Sequence, residues 1–537
     1  MKKVNLKGMA GKALELTIEK RMKTVDYKLL VEPFAKRYES DGAWRCEFWG
    51  KIVRSAIQCA YISEDPELRK LVDETVQDLL NTQTPDGCIS SYPTECQTQG
   101  WDIWGRKYAF LALLRYYELL DQDPKILSAC CKAMDYLMTQ VGEGKNDIIW
   151  CGRHDGLAAS SILGAVVALY RLTKEQKYRD FAEYIMGRGC SYYGNIFECA
   201  DTGAVPATLG NGKAYEMTSC FQGLAELLLF EPNEQKIKML RKYYDAVLER
   251  EIFVTGTGAA KDACGEYWFD GAFKQTRSDC GALGETCVTS TWMRYCYRLL
   301  QLTDDSTIAD ELEKSLYNAL IGALNPDGSH WVHANPTPLT GKGYKWCAKD
   351  QIEAGFKTPY GGNDCCRAQG PEGLAMSADF AVMRNPGCVT VNLFEPMEAE
   401  SLVITGNYPY DPAAELEFSA QEACKLRLRT PSFLKKVVFN GKEVSFEKGK
   451  YLALDHAAGT TDKIALEFDF TLQEIPSPDG HGFVAVKRGP LVLAADSRGH
   501  VPEAKVSVQW NGLELCEYAV AGNLMNENNT LTVWFKK

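Results

Sequence analysis

Leu113-Leu114-Arg115-Tyr116-Tyr117-Glu118-Leu119-Leu120 runs through Asp121-Gln122-Asp123-Pro124 into Lys125-Ile126-Leu127, and the reading of this stretch decides the fold. It predicts a helix that ends in aromatic and leucine residues, a short acidic turn, and a second amphipathic helix. The same order returns where Val167 to Leu172 leads through Thr173-Lys174-Glu175 into Tyr178-Arg179-Asp180-Phe181-Ala182. It returns again where Tyr295 to Leu302 leads through Thr303-Asp304-Asp305 into Ile308 to Leu312. Fainter copies surround Ser63-Glu64-Asp65-Pro66 and Glu231-Pro232-Asn233. A recurrence of roughly 50 to 70 residues is the period of a helical hairpin. Five or six such hairpins make either an open solenoid or a closed ring. The long Gly- and Trp-rich inserts Thr84 to Gly105 and Thr255 to Gly284 suit a ring whose connections line a pocket. The expectation for residues 1–385 is therefore an (α/α)6 barrel that carries the chemistry, with the open solenoid as the alternative.

The pattern changes at Arg384-Asn385-Pro386-Gly387. Beyond it lie short β-rich runs: Val389 to Phe394, Lys425 to Thr430, Val437 to Asn440, Lys463 to Phe470 and Phe483 to Lys487. Turn signals such as Asn440-Gly441 and Pro478-Asp479-Gly480 punctuate them. Residues 386–537 are expected to form a β-sandwich packed on the barrel, which makes the whole an α+β multidomain chain. A β appendage of this kind stabilises the barrel and is a surface for a homodimer.

With 45% apolar residues the 537-residue chain fills a large core, and its net charge of -11 is spread along the sequence. No basic stripe is present to neutralise phosphates, which argues against a nucleic-acid partner. No run approaches the ~20 apolar residues of a membrane span, and the lysine-bearing Met1 to Lys12 has no apolar core of a secretory signal. The reading is a cytoplasmic protein acting on a small carbohydrate, with its 20 cysteines reduced. Most of these, such as Cys59, Cys220 and Cys296, read as small core residues.

Three segments depart from that reading. Gly284-Glu285-Thr286-Cys287 enters an apolar-periodic helix, and Asn363-Asp364-Cys365-Cys366-Arg367 shortly precedes another. Glu285 and Cys287, one residue apart, can point the same way. One carboxylate and three thiols complete a tetrahedral Zn2+ shell, and soft thiolates favour zinc over magnesium or calcium. On spacing alone the vicinal Cys365-Cys366 pair reads equally as structural, and a nearby helix N-terminus would make either thiol reactive. In Cys264-Gly265-Glu266-Tyr267-Trp268-Phe269 a carboxylate lies beside three aromatics. Aromatic walls suit Glu266 to general-acid work and offer Trp268 as a sugar platform. The alternative is a solvated loop glutamate whose neighbours simply pack.

Gly265-Glu266, Glu285-Thr286-Cys287, Leu316-Tyr317-Asn318 and Cys365-Cys366, in this order and spacing, resemble glycoside hydrolase family 127, the β-L-arabinofuranosidase-like proteins. The likeness runs from about Lys28 through the helical region and includes Arg488-Gly489-Pro490-Leu491-Val492. The resemblance implies an (α/α)6 barrel with β-sandwich modules, and zinc held by Glu285, Cys287, Cys365 and Cys366. It implies Cys365 as the nucleophile and Glu266 as the acid/base of a retaining double displacement.

The sequence departs from that family in the residues that hold the sugar. The family places histidines at the starts of inner-barrel helices, whereas this chain has six histidines in all. Its corresponding starts read Trp104-Gly105-Arg106-Lys107-Tyr108, Ser160-Ser161-Ile162 and Gly212-Lys213-Ala214-Tyr215-Glu216. Arg106, Lys107 and Lys213 suit a substrate carboxylate or, equally, interhelical ion pairs with residues such as Glu216. The expected contacts to substrate are Glu47, Trp104, Arg106, Tyr108, His154, Lys213, Glu216 and Trp268, with Trp101 as a further platform. The sugar is then acidic or branched, or an arabinofuranoside held differently. The rival readings are a sugar epimerase or unsaturated-uronide hydrolase on the same barrel, and a carbohydrate-binding protein with a structural zinc. No glycine-rich loop following a strand suggests a nucleotide.

Overall fold

The computed structural model describes residues 3–259, 266–277, 283–336, 364–523 and 529–537. Cys264, Gly265 and Asn363, quoted above, lie outside them. Twelve helices among the described residues build a barrel in two layers. The outer layer holds α1 (Met9–Lys20), α3 (Pro66–Leu80), α5 (Pro124–Gln140), α7 (Gln176–Gly187), α9 (Glu234–Arg250) and α11 (Ser306–Lys314). The inner layer holds α2 (Cys46–Ser63), α4 (Asp102–Leu119), α6 (Leu163–Thr173), α8 (Ala214–Leu228), α10 (Thr286–Thr303) and α12 (Cys365–Ala375).

Each inner helix packs on the next, α2 on α4, then α6, α8, α10 and α12, and α12 returns to α2. The ring is closed, and the solenoid is excluded. The inner helices are apolar almost all round: α2 is buried from Cys46 to Ala60, and α10 from Thr286 to Tyr297. The acidic turns start the outer helices. Asp65 caps α3 by accepting from Leu68 N at 2.9 Å, Asn233 caps α9 from Lys236 N at 3.0 Å, and Asp305 caps α11 from Thr307 N at 3.0 Å. Pro66 and Pro124 take the first-turn position that needs no donor.

The inner ring is tightest between α2 and α4. A Cβ on Gly50 would stand 2.2 Å from the Tyr108 carbonyl carbon, and one on Gly105 would stand 2.4 Å from Cys46 Sγ. Only glycine admits this approach, and it draws the first turns of the two helices together.

Helix gives way to strand at Val382–Asn385. A seven-stranded sheet follows the order Val4–Leu6, Met397–Ala399, Leu402–Gly406, Ala413–Phe418, Asp462–Phe468, Leu434–Phe439, Lys442–Glu443, so the N-terminal strand is stitched into the C-terminal β region. A four-stranded sheet and a second seven-stranded assembly centred on Phe483–Arg488 and Leu491–Asp496 complete it. Asn440-Gly441 makes the expected tight hairpin turn with φ of 49° and 80°.

Asn318 ties barrel to sheet. It is fully buried in a π-helical turn, Ser315–Leu320. Its Nδ2 donates to Pro490 O at 3.1 Å and its Oδ1 accepts from Val492 N at 2.8 Å. Two of the segments quoted for the resemblance thus meet in one hydrogen-bonded clamp. Among the described residues, no helix is long and apolar enough to cross a membrane.

Candidate active site

The first turns of the inner helices all open at one end of the barrel, and that end collects the chemistry. Glu285 ends the strand Leu283–Glu285, which pairs with Ala334–Pro336, and it stands at the N-cap of α10. Thr286 N bonds His333 O at 3.1 Å and Thr286 Oγ1 donates to Val332 O at 2.7 Å, which carries His333 alongside. Cys365 opens α12, where Asp364 accepts from Arg367 N at 2.8 Å. Glu266 is fixed to the start of α8 through Ala214 N to Glu266 O at 2.8 Å and Trp268 N to Gly212 O at 2.9 Å.

The four expected ligands converge. Cys366 Sγ lies 2.9 Å from Glu285 Oε1, 3.5 Å from Cys287 Sγ and 3.9 Å from Cys365 Sγ, and one donor atom from each of the four falls within 4.8 Å of the others. Cys287 and Cys366 are fully buried, while Cys365 is half-buried. Glu285 Oε2 is buried with no hydrogen-bond partner among the described residues, an arrangement that proteins avoid unless a ligand completes it. The donor set and this orphaned oxygen fit a bound metal ion. His333 and Asp364 join Cys365 and Cys366 in an overlapping group of the same compactness.

The electrostatics single out one thiol. Hydrogen bonds from Cys287 and Cys366 hold the Cys365 thiol well below its usual range, against burial and with help from His333. Burial drives Glu285, Cys287 and Cys366 the other way, well above theirs. Burial disfavours a charged His333, but Cys365, Glu285 and Asp364 outweigh it and hold the imidazole above its ordinary value. Cys365 Sγ is 3.8 Å from Glu266 Oε1 and 3.9 Å from His333 Nδ1.

Around this centre stand most of the residues expected to touch a sugar. Glu47, on the first turn of α2, is held by Lys51 Nζ at 3.1 Å and by the Trp104 indole N–H. Burial pushes its carboxyl up to about 7, with Lys51 opposing and Cys365 reinforcing. Tyr108 shares a hydrogen bond with Tyr215, which donates to Gln369 Oε1 at 2.9 Å. Lys51 lies over the rings of Trp104, Tyr108 and Tyr215. His154 stands 3.9 Å from Glu216 Oε1, edge-on to Trp101 and Tyr267. Glu216 Oε2 is buried without a hydrogen-bond partner among the described residues.

Three expectations are redirected. Arg106 is buried and turned onto Asp102 (Nε to Oδ1, 2.9 Å) and Gln140 (Nη1 to Oε1, 2.9 Å), because an aspartate one helical turn earlier on α4 captures its fork. Trp268 is 3% exposed and donates to Tyr243 OH at 3.1 Å, so it is a core residue and presents no platform. Lys213 pairs with Glu266 Oε2 at 2.6 Å, and with Glu216 only at longer range. Sequence reasoning missed His333, Asp364, Lys51 and Tyr215. Lys51 was within reach as a cation one turn after Glu47.

The family model described as "Beta-L-arabinofuranosidase, GH127 catalytic domain" matches residues 5–379. The chain is 22% identical to a non-reducing end β-L-arabinofuranosidase of Bifidobacterium longum subsp. longum, over 80% of this chain and 72% of that protein. A GH127 β-L-arabinofuranosidase from Geobacillus stearothermophilus T6 has the same fold, with a TM-score of 0.74 at 20% identity over 99% of both chains. A further GH127 β-arabinofuranosidase superposes with a TM-score of 0.78 at 19% identity, over 99% of this chain and 96% of the other. The chain belongs to glycoside hydrolase family 127 and is a glycoside hydrolase.

Proposed function

We propose that the protein is a retaining glycosidase of the β-L-arabinofuranosidase type that uses Cys365 as nucleophile and Glu266 as acid/base. The observation that carries this reading is the pairing of the half-buried Cys365 thiol with a Glu266 carboxylate oxygen 3.8 Å away, beside two thiols that are fully buried. An inverting enzyme separates its two groups by roughly 6.5–9.5 Å to admit a water, and this gap leaves no such room.

In the first step Cys365 Sγ attacks the anomeric carbon, the glycosidic C–O bond breaks, and Glu266 gives its proton to the departing oxygen. In the second, Glu266 takes a proton from water, whose oxygen displaces sulfur from the anomeric carbon. The soft donor set favours zinc, with Glu285, Cys287, Cys365 and Cys366 as the residues that would hold it. When bound, zinc keeps thiols deprotonated at neutral pH.

Two of the three cations weighed for an acidic sugar are held in ion pairs, Lys213 with Glu266 and Arg106 with Asp102. Glu47 and Glu216, with the half-buried ring of Trp101 beside them, support a neutral furanoside, whose hydroxyls donate to carboxylates. The test is hydrolysis of aryl β-L-arabinofuranoside, α-L-arabinofuranoside and uronide substrates by the wild type and Cys365→Ala, with metal content measured in both. Cleavage of the β-L-furanoside that is lost in Cys365→Ala supports the reading. A Cys365→Ala protein that keeps most of its activity removes it.

A further inference from the structure

The inner ring encloses a cavity of about 140 Å³, lined by residues from all six inner helices. It runs along the axis toward the C-terminal ends of those helices, away from the thiol cluster. At its outer mouth each arginine has its own carboxylate: Arg115 with Asp379 at 3.1 Å, Arg298 with Glu226 at 2.5 Å, and Arg171 with Glu118. At its inner end the balance is different. Arg54 and Arg294 share the single carboxylate of Glu372.

Lys107, 3% exposed, makes no ion pair among the described residues. Its polar contact is Ser161 Oγ at 3.1 Å, and it rests over the rings of Trp104 and Tyr108 at 4.1 and 4.8 Å. Three buried basic side chains therefore face one carboxylate, an arrangement that a further anion relieves. Burial, then Arg294 and Arg54, hold the Lys107 amine well below its ordinary range, which reports the same lack of counter-charge. Gly164 lines this space, and a Cβ there would meet Gly223 Cα at 3.7 Å in ordinary van der Waals contact.

We propose that this axial cavity binds a small oxyanion, inorganic phosphate or a short-chain carboxylate, between Lys107, Ser161 and the Arg54–Arg294 pair. Three nitrogen-bearing side chains converging on one space match the acceptors of an oxyanion, while Ser161, which donates to Ala158 O at 2.6 Å and accepts from Lys107 at 3.1 Å, holds the lysine in place. The volume is below the roughly 300 Å³ at which pockets for larger organic ligands begin, which excludes an oligosaccharide. The assignment stands on the barrel alone and does not depend on the chemistry given to Cys365.

The test is calorimetric titration of the full-length protein with phosphate and, separately, with succinate, at constant ionic strength in chloride so that surface attraction is screened equally. The expected result is one saturable site for at least one of the two anions, weakened tenfold or more in Lys107→Met. Gly164→Leu fills the same space while leaving every cation in place, and it is expected to weaken binding likewise. Absence of saturable binding of both anions to the wild type would overturn the proposal. So would undiminished affinity in folded Lys107→Met or, should that variant not fold, in Gly164→Leu.

Discussion

Lys213 Nζ lies 2.6 Å from one oxygen of Glu266, and the other oxygen faces Cys365 Sγ at 3.8 Å. The lysine thus fixes which edge of the carboxylate meets the thiol proposed as nucleophile. Lys213 is itself anchored by the backbone bridge to Tyr267, so the ion pair has little freedom to drift. Lys213→Met is expected to lower kcat by about 10- to 100-fold through lost orientation, with KM moving less. Steady-state kinetics of Lys213→Met beside Lys213→Arg check this, and an unaltered kcat in the former removes the positioning role.

Glu266→Gln is expected to separate the two half-reactions. Its loss should reach about 10²- to 10⁴-fold on a sugar with a poor leaving group, and much less in the first step for an aryl leaving group that departs without a proton. Burst kinetics with a nitrophenyl furanoside measure the difference. Equal losses on both substrates would place Glu266 outside proton transfer.

The orphaned Glu285 Oε2 makes metal binding a matter of folding as well as chemistry. Removing the ion with a chelator is expected to lower the melting temperature, and added zinc to restore it. Glu285→Gln and Cys287→Ser should hold less zinc by elemental analysis, whereas Lys213→Met should hold as much as the wild type. A chelator-treated protein with an unchanged melting curve contradicts this.

His154 gives stability a pH dependence of known sign. Burial first, and Lys213 next, hold its imidazole down at about 4, while the unfolded chain takes the proton from about 6.5 downward. Between those values the unfolded state binds more protons, so stability falls as the pH drops, by about 2 kcal/mol from pH 7 to pH 5. Burial holds the carboxyls of Glu47, Glu251 and Glu395 up at about 7. Their contribution is fully present below about 4.5 and fades as the pH rises through 7, the opposite direction. The measurement is therefore a comparison: urea unfolding at pH 7 and pH 5 should show a smaller loss, or a larger gain, on acidification in His154→Gln than in the wild type.

Asn318→Ala removes two buried hydrogen bonds between barrel and sheet and strands Pro490 O and Val492 N. The expected cost is about 2–3 kcal/mol. It should appear as a lower urea midpoint without loss of zinc.

The hairpin period and the acidic turns made the barrel legible, because caps and amphipathic spacing are local signals written within one or two turns. The candidate metal cluster was legible for a different reason: on spacing alone Glu285, Cys287, Cys365 and Cys366 were a suggestion that a structural cysteine pair would also satisfy, and the order of the quoted motifs brought them together. Trp268 was misread because an indole beside a carboxylate looks the same in sequence whether it faces a sugar or, as here, Tyr243. Arg106 was misread despite a local clue, since Asp102 stands four residues before it on the same helix. His333 carried no helical periodicity. Its place depends on strand pairing between residues that lie about fifty positions apart, as Glu285 and Ala334 do.

Because the thiol centre is ringed by the opening turns of different hairpins, the residues around it form a set of separable parts. Glu47 belongs to one repeat, Trp104 and Tyr108 to the next, and Lys213 and Glu216 to another, while the reactive thiols ride on α10 and α12. One opening turn can be exchanged without moving the residues that form the thiol centre. The closed ring is a chassis that holds the thiol centre while each surrounding turn is carried by its own hairpin.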